Sequence, residues 1–325
     1  MGEQSKIGWT GSTWNPWVGC RKASPGCANC YMERWAARAG RDPRKIEATR
    51  DRTFDLPYRL QRKVERGELE EGHTVFVCSL SDFFIEEADS WRARAWSMIR
   101  ACPGLRFQLL TKRADRIAEC LPESWGNGWP NVWLGVSVES GEWLGRAEAL
   151  AEIPAAVRFV SAEPLIGPIL APELRPVLRA GIDWVIVGGE SGAESKVRIF
   201  DEVAASLIVS VCREEAVHVF VKQAGAVTRW LSGDLGSIGH ADLAWQLSPE
   251  LSGIHEMPRP RVLFSHVELL AARETAIGVC ASADDSRLLA ALEERKGAES
   301  IPFEEIEAVP PDRVTEILSY FGVRW

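Results

Sequence analysis

Three cysteines near the start of the chain are the residues best suited to chemistry. Cys20, Cys27 and Cys30 lie in the segment WNPWVGCRKASPGCANCYMERW, with spacing C-x6-C-x2-C. The Ser24-Pro25-Gly26 turn signal brings Cys20 back toward Cys27. Cys27 and Cys30 are three residues apart, so their thiols converge at the start of the helix expected from Tyr31. The positive end of that helix favours thiolates. Structural zinc sites use four ligands, commonly paired CxxC motifs or histidines. Here there is one CxxC, and no His lies nearer than His73. Three thiolates without a fourth protein ligand suit an iron–sulfur cluster that keeps one iron open. Zinc with a distant fourth ligand, and three thiols without metal, remain as alternatives.

A second set of polar residues follows a series of short apolar runs. Asp82 comes after one run, Lys112 after the next, then Ser137 and Glu139, Glu163, the triplet Gly188-Gly189-Glu190, and Lys222. Charged or amide side chains after five of the runs mark this edge as a candidate site, although each alone also reads as a helix cap, a surface residue or an ion-pair partner.

The runs that would position them are Thr13–Gly19, Thr74–Ser79, Arg106–Leu110, Val132–Ser137, Val157–Ser161, Trp184–Val187 and Val217–Val221. They are near-continuously apolar, as in parallel strands buried on both faces. Helices are expected at Tyr31–Ala39, Ala88–Ala101, Ala114–Glu119, Trp143–Ala151, Ala171–Arg179 and Glu202–Glu215. Alternating strand and helix predicts an α/β fold: a partial parallel (β/α) barrel of six to seven units. In such folds the C-terminal strand edge builds the active site. Residues 1–225 form this barrel and residues 226–262 an irregular linker. Residues 263–325 are expected to form a small helical C-terminal appendage.

The chain has 325 residues and a net charge of −8. It is not a generally basic nucleic-acid binder. Residues 34–66 are nonetheless rich in Arg and Lys, which reads most simply as a solvated helical surface. No run approaches the roughly 20 apolar residues of a membrane span, and the N-terminus has no apolar signal core. A cytoplasmic protein is expected. Five further cysteines stand alone in apolar surroundings and behave as small hydrophobes. The chain has 14 Trp, most suited to the core; Trp14 and Trp17 flank the cysteine loop and are placed to shield it.

Seven ordered motifs carry a resemblance: WTGSTWNPWVGCRKASPGCANCY, VFVCSLSDFF, LLTKR, NVWLGVSVES, RFVSAEPLIGPI, DWVIVGGESG and VFVKQAG. The core, residues 9–225, resembles radical S-adenosylmethionine (SAM) enzymes. More closely, it resembles a family of phage-associated, radical-SAM-like proteins of unassigned function. The cysteine loop is three residues longer than the C-x3-C-x2-C of radical SAM enzymes. Tyr31 follows the last Cys, where those enzymes carry an aromatic residue before it. Gly188-Gly189-Glu190 follows a later strand than the Gly-Gly-Glu of that superfamily.

The resemblance implies a [4Fe-4S] cluster on Cys20, Cys27 and Cys30 that binds SAM, with an electron donor such as flavodoxin or ferredoxin. It implies a 5′-deoxyadenosyl radical that modifies or repairs a nucleoside, nucleotide or nucleic-acid base, DNA included. Glu163, Lys112 and Lys222 would act at the substrate. Ser137, Glu139, Gly188, Gly189 and Glu190 would act at the cofactor. The competing readings are a zinc- or cluster-stabilised binding module without catalysis, and a redox sensor or electron carrier.

Overall fold

A computed structural model of the chain describes residues 3–191, 197–224, 228–229, 251, 253–258, 262–263 and 300–301. Seven strands form one all-parallel sheet in chain order: β1 Ser12–Trp14, β2 His73–Val77, β3 Leu105–Thr111, β4 Val132–Ser137, β5 Val157–Ala162, β6 Trp184–Gly188 and β7 His218–Gln223. The helices are α1 Tyr31–Arg38, α2 Asp51–Phe54, α3 Leu56–Glu65, α4 Asp89–Arg100, α5 Ile117–Cys120, α6 Gly145–Ala151, α7 Ala171–Arg179 and α8 Glu202–Glu214. Helices cross between successive strands, as parallel pairing requires. Every residue of β4, β5 and β6 is buried, which explains their unbroken apolar character.

The sheet curls into a partial barrel, and Trp9 shows it. In a flat sheet β2 and β6 would stand about 19 Å apart. The Trp9 ring lies 4.7 Å from Phe76 of β2 and 6.2 Å from Trp184 of β6, centroid to centroid. Trp184 also meets Trp133, Phe159 and Phe220, on β4, β5 and β7. Gln108 of β3 donates to the Trp9 carbonyl. The segment before β1 thus plugs the end of the barrel where the strands begin.

These contacts fix which face of each strand looks inward. Strand alternation then carries the inner face from Gln108 to Lys112, from Trp133 to Glu139, from Phe159 to Glu163, and from Trp184 to Glu190. Phe220 leads likewise to Lys222. The charged residues expected at the strand ends are the inner-face positions after the last apolar one.

The first strand is shorter than expected and ends at Trp14. Pro16 lacks an N–H, and the buried Asn15 side chain instead bonds Leu80 N and Ser79 of the loop after β2. Trp17–Val18 then pairs antiparallel with Glu47–Ala48. Beyond β7, residues 254–256 bond back to it, through Val221 N to Ile254 O and Glu256 N to Val219 O. They cover part of an edge that would otherwise be open.

The chain divides into two compact units. One comprises residues 1–122, 131–153 and 157–258 and holds the barrel. The other comprises residues 123–130, 154–156 and 259–325; it includes an antiparallel pair, Val262–Leu263 with Ser300–Ile301. Apart from Leu263, Ser300 and Ile301, residues 263–325 lie outside the described residues, and the helices expected there with them. So does most of the expected linker before residue 251. Among the described residues no helix is long and apolar enough to cross a membrane.

Candidate functional site: the cysteine loop at the barrel mouth

The cysteine loop closes over the C-terminal ends of the strands. Pro25–Cys27 is a 3-10 turn, with Cys27 N bonded to Ser24 O at 3.0 Å. The expected turn is therefore present. Cys30 caps α1. Cys20 is pinned through its own N–H to Pro43 O at 2.9 Å. Gly19 before it has φ +92°, and a β-carbon there would stand 2.3 Å from Lys45 O, so only glycine fits.

The three thiols share one neighbourhood. Cys20 and Cys30 pack on the same apolar group of Val18, Met32, Ala36 and Leu80. All three are partly exposed. Burial pushes the Cys20 thiol up to about 12; the Asp82, Cys27 and Cys30 charges add to the rise, while Arg113 opposes it. Burial also raises Cys30, against the opposing pull of the Met32 N–H and Lys112. The helix terminus was expected to favour the Cys30 thiolate, yet burial raises this thiol. Desolvation and mutual repulsion outweigh it. Among the described residues, no group of three or more His, Cys, Asp or Glu side chains is arranged to hold a metal ion.

Two buried carboxylates latch the loop to the barrel. Glu139, wholly buried, pairs with Lys112 Nζ at 2.6 Å and with Arg146 at 2.9 Å, and it accepts from Ser24 Oγ. Burial alone would raise its carboxyl, but these partners hold it below the usual carboxylate range. Gly26 lies flat against it: a β-carbon at 26 would stand 2.4 Å from Oε1. Glu190 accepts from Asn29 Nδ2 at 3.0 Å and pairs with Arg198, which also donates to Pro25 O at 2.8 Å. Burial again opposes and Arg198 prevails, so its carboxyl is held low. Both carboxylates are thus engaged by the loop.

Glu163 and Lys222 form a separate ion pair across the mouth, from β5 to β7. The strand between them contributes Gly188, whose missing side chain leaves the pair room: a β-carbon there would lie 3.4 Å from Glu163 Cγ and 3.5 Å from Lys222 Cβ. Gly189 N bonds Gln223 O, tying β6 to β7. Below this pair, on the inner face of β5, the Ser161 hydroxyl is buried and has no hydrogen-bond partner among the described residues. Ser137 is buried opposite it in the β4–β5 register. Asp82 accepts from Thr111 Oγ1, Lys112 N and Phe84 N and pairs with Arg113 at 2.8 Å. It fastens the loops after β2 and β3 together.

Sequence reasoning missed Arg113, Arg146, Arg198 and Asn29. Their types carry no signal until the fold places them beside a carboxylate or a thiol.

The model of a family described as "Protein of unknown function (DUF5131)" matches residues 4–267. The chain belongs to this family. No curated protein matches the DUF5131 chain. Among solved structures, it is similar to a spore photoproduct lyase mutant at 14% identity and TM-score 0.45, covering 65% of this chain and 75% of that one. A second mutant of that lyase, with bound AdoMet and dinucleoside spore photoproduct, has 15% identity and TM-score 0.40, covering 54% and 55%. A third structure, spore photoproduct lyase complexed with the dinucleoside spore photoproduct, has 16% identity and TM-score 0.40, covering 61% and 59%.

Proposed function

We propose that this protein is a radical SAM-type enzyme that modifies or repairs a nucleoside, nucleotide or nucleic-acid base. The observation that carries the reading is the latched cysteine loop over the charged mouth of the half-barrel. Three soft sulfur donors, with no His among them, suit iron–sulfur chemistry. A cluster of several irons spans more space than one ion, so its thiolates stand farther apart than in a single-ion cage. Two of the three thiols are reluctant to ionise, and a cationic centre would relieve that cost.

Cys20, Cys27 and Cys30 would hold a [4Fe-4S] cluster; with SAM it supplies a 5′-deoxyadenosyl radical after one-electron reduction by a flavodoxin- or ferredoxin-type donor. The chain's own residues position and enclose. Glu139 and Glu190 hold the loop at fixed height over the strands. Lys112, 18% exposed and paired to Glu139, keeps positive charge beside Cys30. Glu163 and Lys222 offer an anion and a cation to a polar substrate or to the SAM amino-acid group. The orphaned Ser161 hydroxyl offers a hydrogen bond deeper in the barrel. Trp17, fully buried, donates to Asp82 O and shields the loop's base.

The test is anaerobic reconstitution with iron and sulfide, then addition of dithionite and SAM. Release of 5′-deoxyadenosine supports the proposal. A cluster that cycles while SAM stays intact makes the protein an electron carrier, and colourless protein holding zinc makes it a binding module.

A further inference from the structure

A cationic strip borders the mouth. Arg34, Arg38, Arg41, Arg44, Lys45 and Arg50 are all exposed. Residues 34–50 contain only two acids, Asp42 and Glu47, an excess of four positive charges in a chain of net −8. Arg41 and Lys45 share Glu47. Asp42 spends Oδ1 on the Arg44 N–H. Arg38, Arg44 and Arg50 have no ion pair among the described residues. The flanking acids Glu33 and Asp51 pair with Lys22 and Arg94, outside the segment, so its positive excess is not neutralised by ion pairs within it.

Specific contacts place the strip at the mouth. Arg34 donates to the carbonyl of Ser191, next to Glu190 at the end of β6. Arg38 is one helical turn on from Arg34, on the same side of α1. Pro43 O holds the Cys20 N–H, and Lys45 O lies against Gly19. Tyr31, the first residue of α1, is 43% exposed, and its hydroxyl is tethered to Ser79 O. An exposed aromatic ring at the start of the helix that carries Arg34 and Arg38 supplies, with that charge, the two requirements of single-strand binding: cations along the backbone and an aromatic surface for a base.

We propose that residues 34–50 dock the sugar–phosphate backbone of a nucleic acid, so that the barrel receives a base displaced from a polynucleotide rather than a free nucleotide. A base reached at the bottom of a mouth must leave its stack, and a backbone clamp at the rim is what holds the strand while it does. This names the substrate class of the reading above and rests on it.

The test uses the full chain, metal-free and reconstituted, with fluorescein-labelled 20-mer single strands and duplexes read by anisotropy over a salt series. The variant is the triple Arg38→Glu, Arg44→Glu, Arg50→Glu, with the triple Gln variant beside it. Wild-type binding should weaken steeply with salt, by about 0.7 log units per log unit of salt for each single-strand phosphate neutralised. The Glu variant should bind at least tenfold more weakly with a flatter slope, and the Gln variant should lie between. Far-UV circular dichroism and urea midpoints should match wild type, since all three side chains are exposed. The proposal is overturned if wild type binds no oligonucleotide, if both variants bind as wild type does, or if only anionic vesicles are bound. Oligonucleotide binding by the metal-free protein does not depend on a cluster. Absence of iron would therefore sink the enzyme reading alone, and SAM cleavage without strand binding would sink this inference alone.

Discussion

Gly26 of the cysteine loop rests on the side chain of Glu139, with a would-be β-carbon 2.4 Å from Oε1, 2.6 Å from Cγ and 2.8 Å from Cδ. The carboxylate is itself held by Lys112 and Arg146. Loop height is therefore set by a buried charge just beyond β4.

Gly26→Ala should lift the loop. Overpacking of this kind costs about 1–3 kcal/mol. Urea unfolding should show that loss, and iodoacetamide should alkylate Cys27 severalfold faster in the metal-free protein. Unchanged alkylation would mean that the contact does not set the loop.

Glu139→Gln leaves two buried cations without their anion. At pH 7 it should cost about 3 kcal/mol. The Glu139 carboxyl is held below its ordinary value near 4.5. Its stabilisation is therefore fully present above about pH 4.5 and is lost as pH falls through the lower folded value. Wild type and variant should differ in urea midpoint at pH 7, and the gap should narrow as pH falls below about 4.5. A gap that does not narrow with falling pH would assign the cost to packing instead of charge.

Much of the barrel was legible because parallel strands buried on both faces must be apolar throughout, as Val132–Ser137 and Val157–Ala162 are. The strand-end residues were legible because alternation carries the inner face past the last apolar position. What they bond to was not. Glu139 and Glu190 suited ligand groups in sequence, yet the fold gives them Ser24, Asn29 and Arg198, partners as much as 161 residues away. Likewise the helix at Tyr31 was expected to favour thiolates, but the sign of the Cys30 shift depends on burial, which spacing does not reveal. The plug made by Trp9 was hidden for the same reason: its partners lie on β2, β5 and β6.

Trp9→Ala removes that plug. Large-to-small changes at such sites cost about 3–5 kcal/mol. Thermal unfolding should register the loss as a lower midpoint. A variant as stable as wild type would show that the barrel closes without it.

Glu163→Gln and Lys222→Met each break the pair over Gly188 without touching the cysteine loop. Iron content should stay at the wild-type level, and 5′-deoxyadenosine release without substrate should persist if the pair serves substrate alone. Substrate conversion should fall about 100-fold, as expected when a positioning contact is lost. Retained conversion in both variants would make the pair a structural ion pair.

The central claim is that Cys20, Cys27 and Cys30 share one multi-iron centre. Its most direct test is the iron and acid-labile sulfide content of anaerobically reconstituted protein, set beside single Cys20→Ala, Cys27→Ala and Cys30→Ala variants. About four of each per chain is expected for wild type, with loss of both in every variant and an unchanged far-UV spectrum. Wild-type protein that takes up no iron, or iron retained after Cys27→Ala, would contradict it.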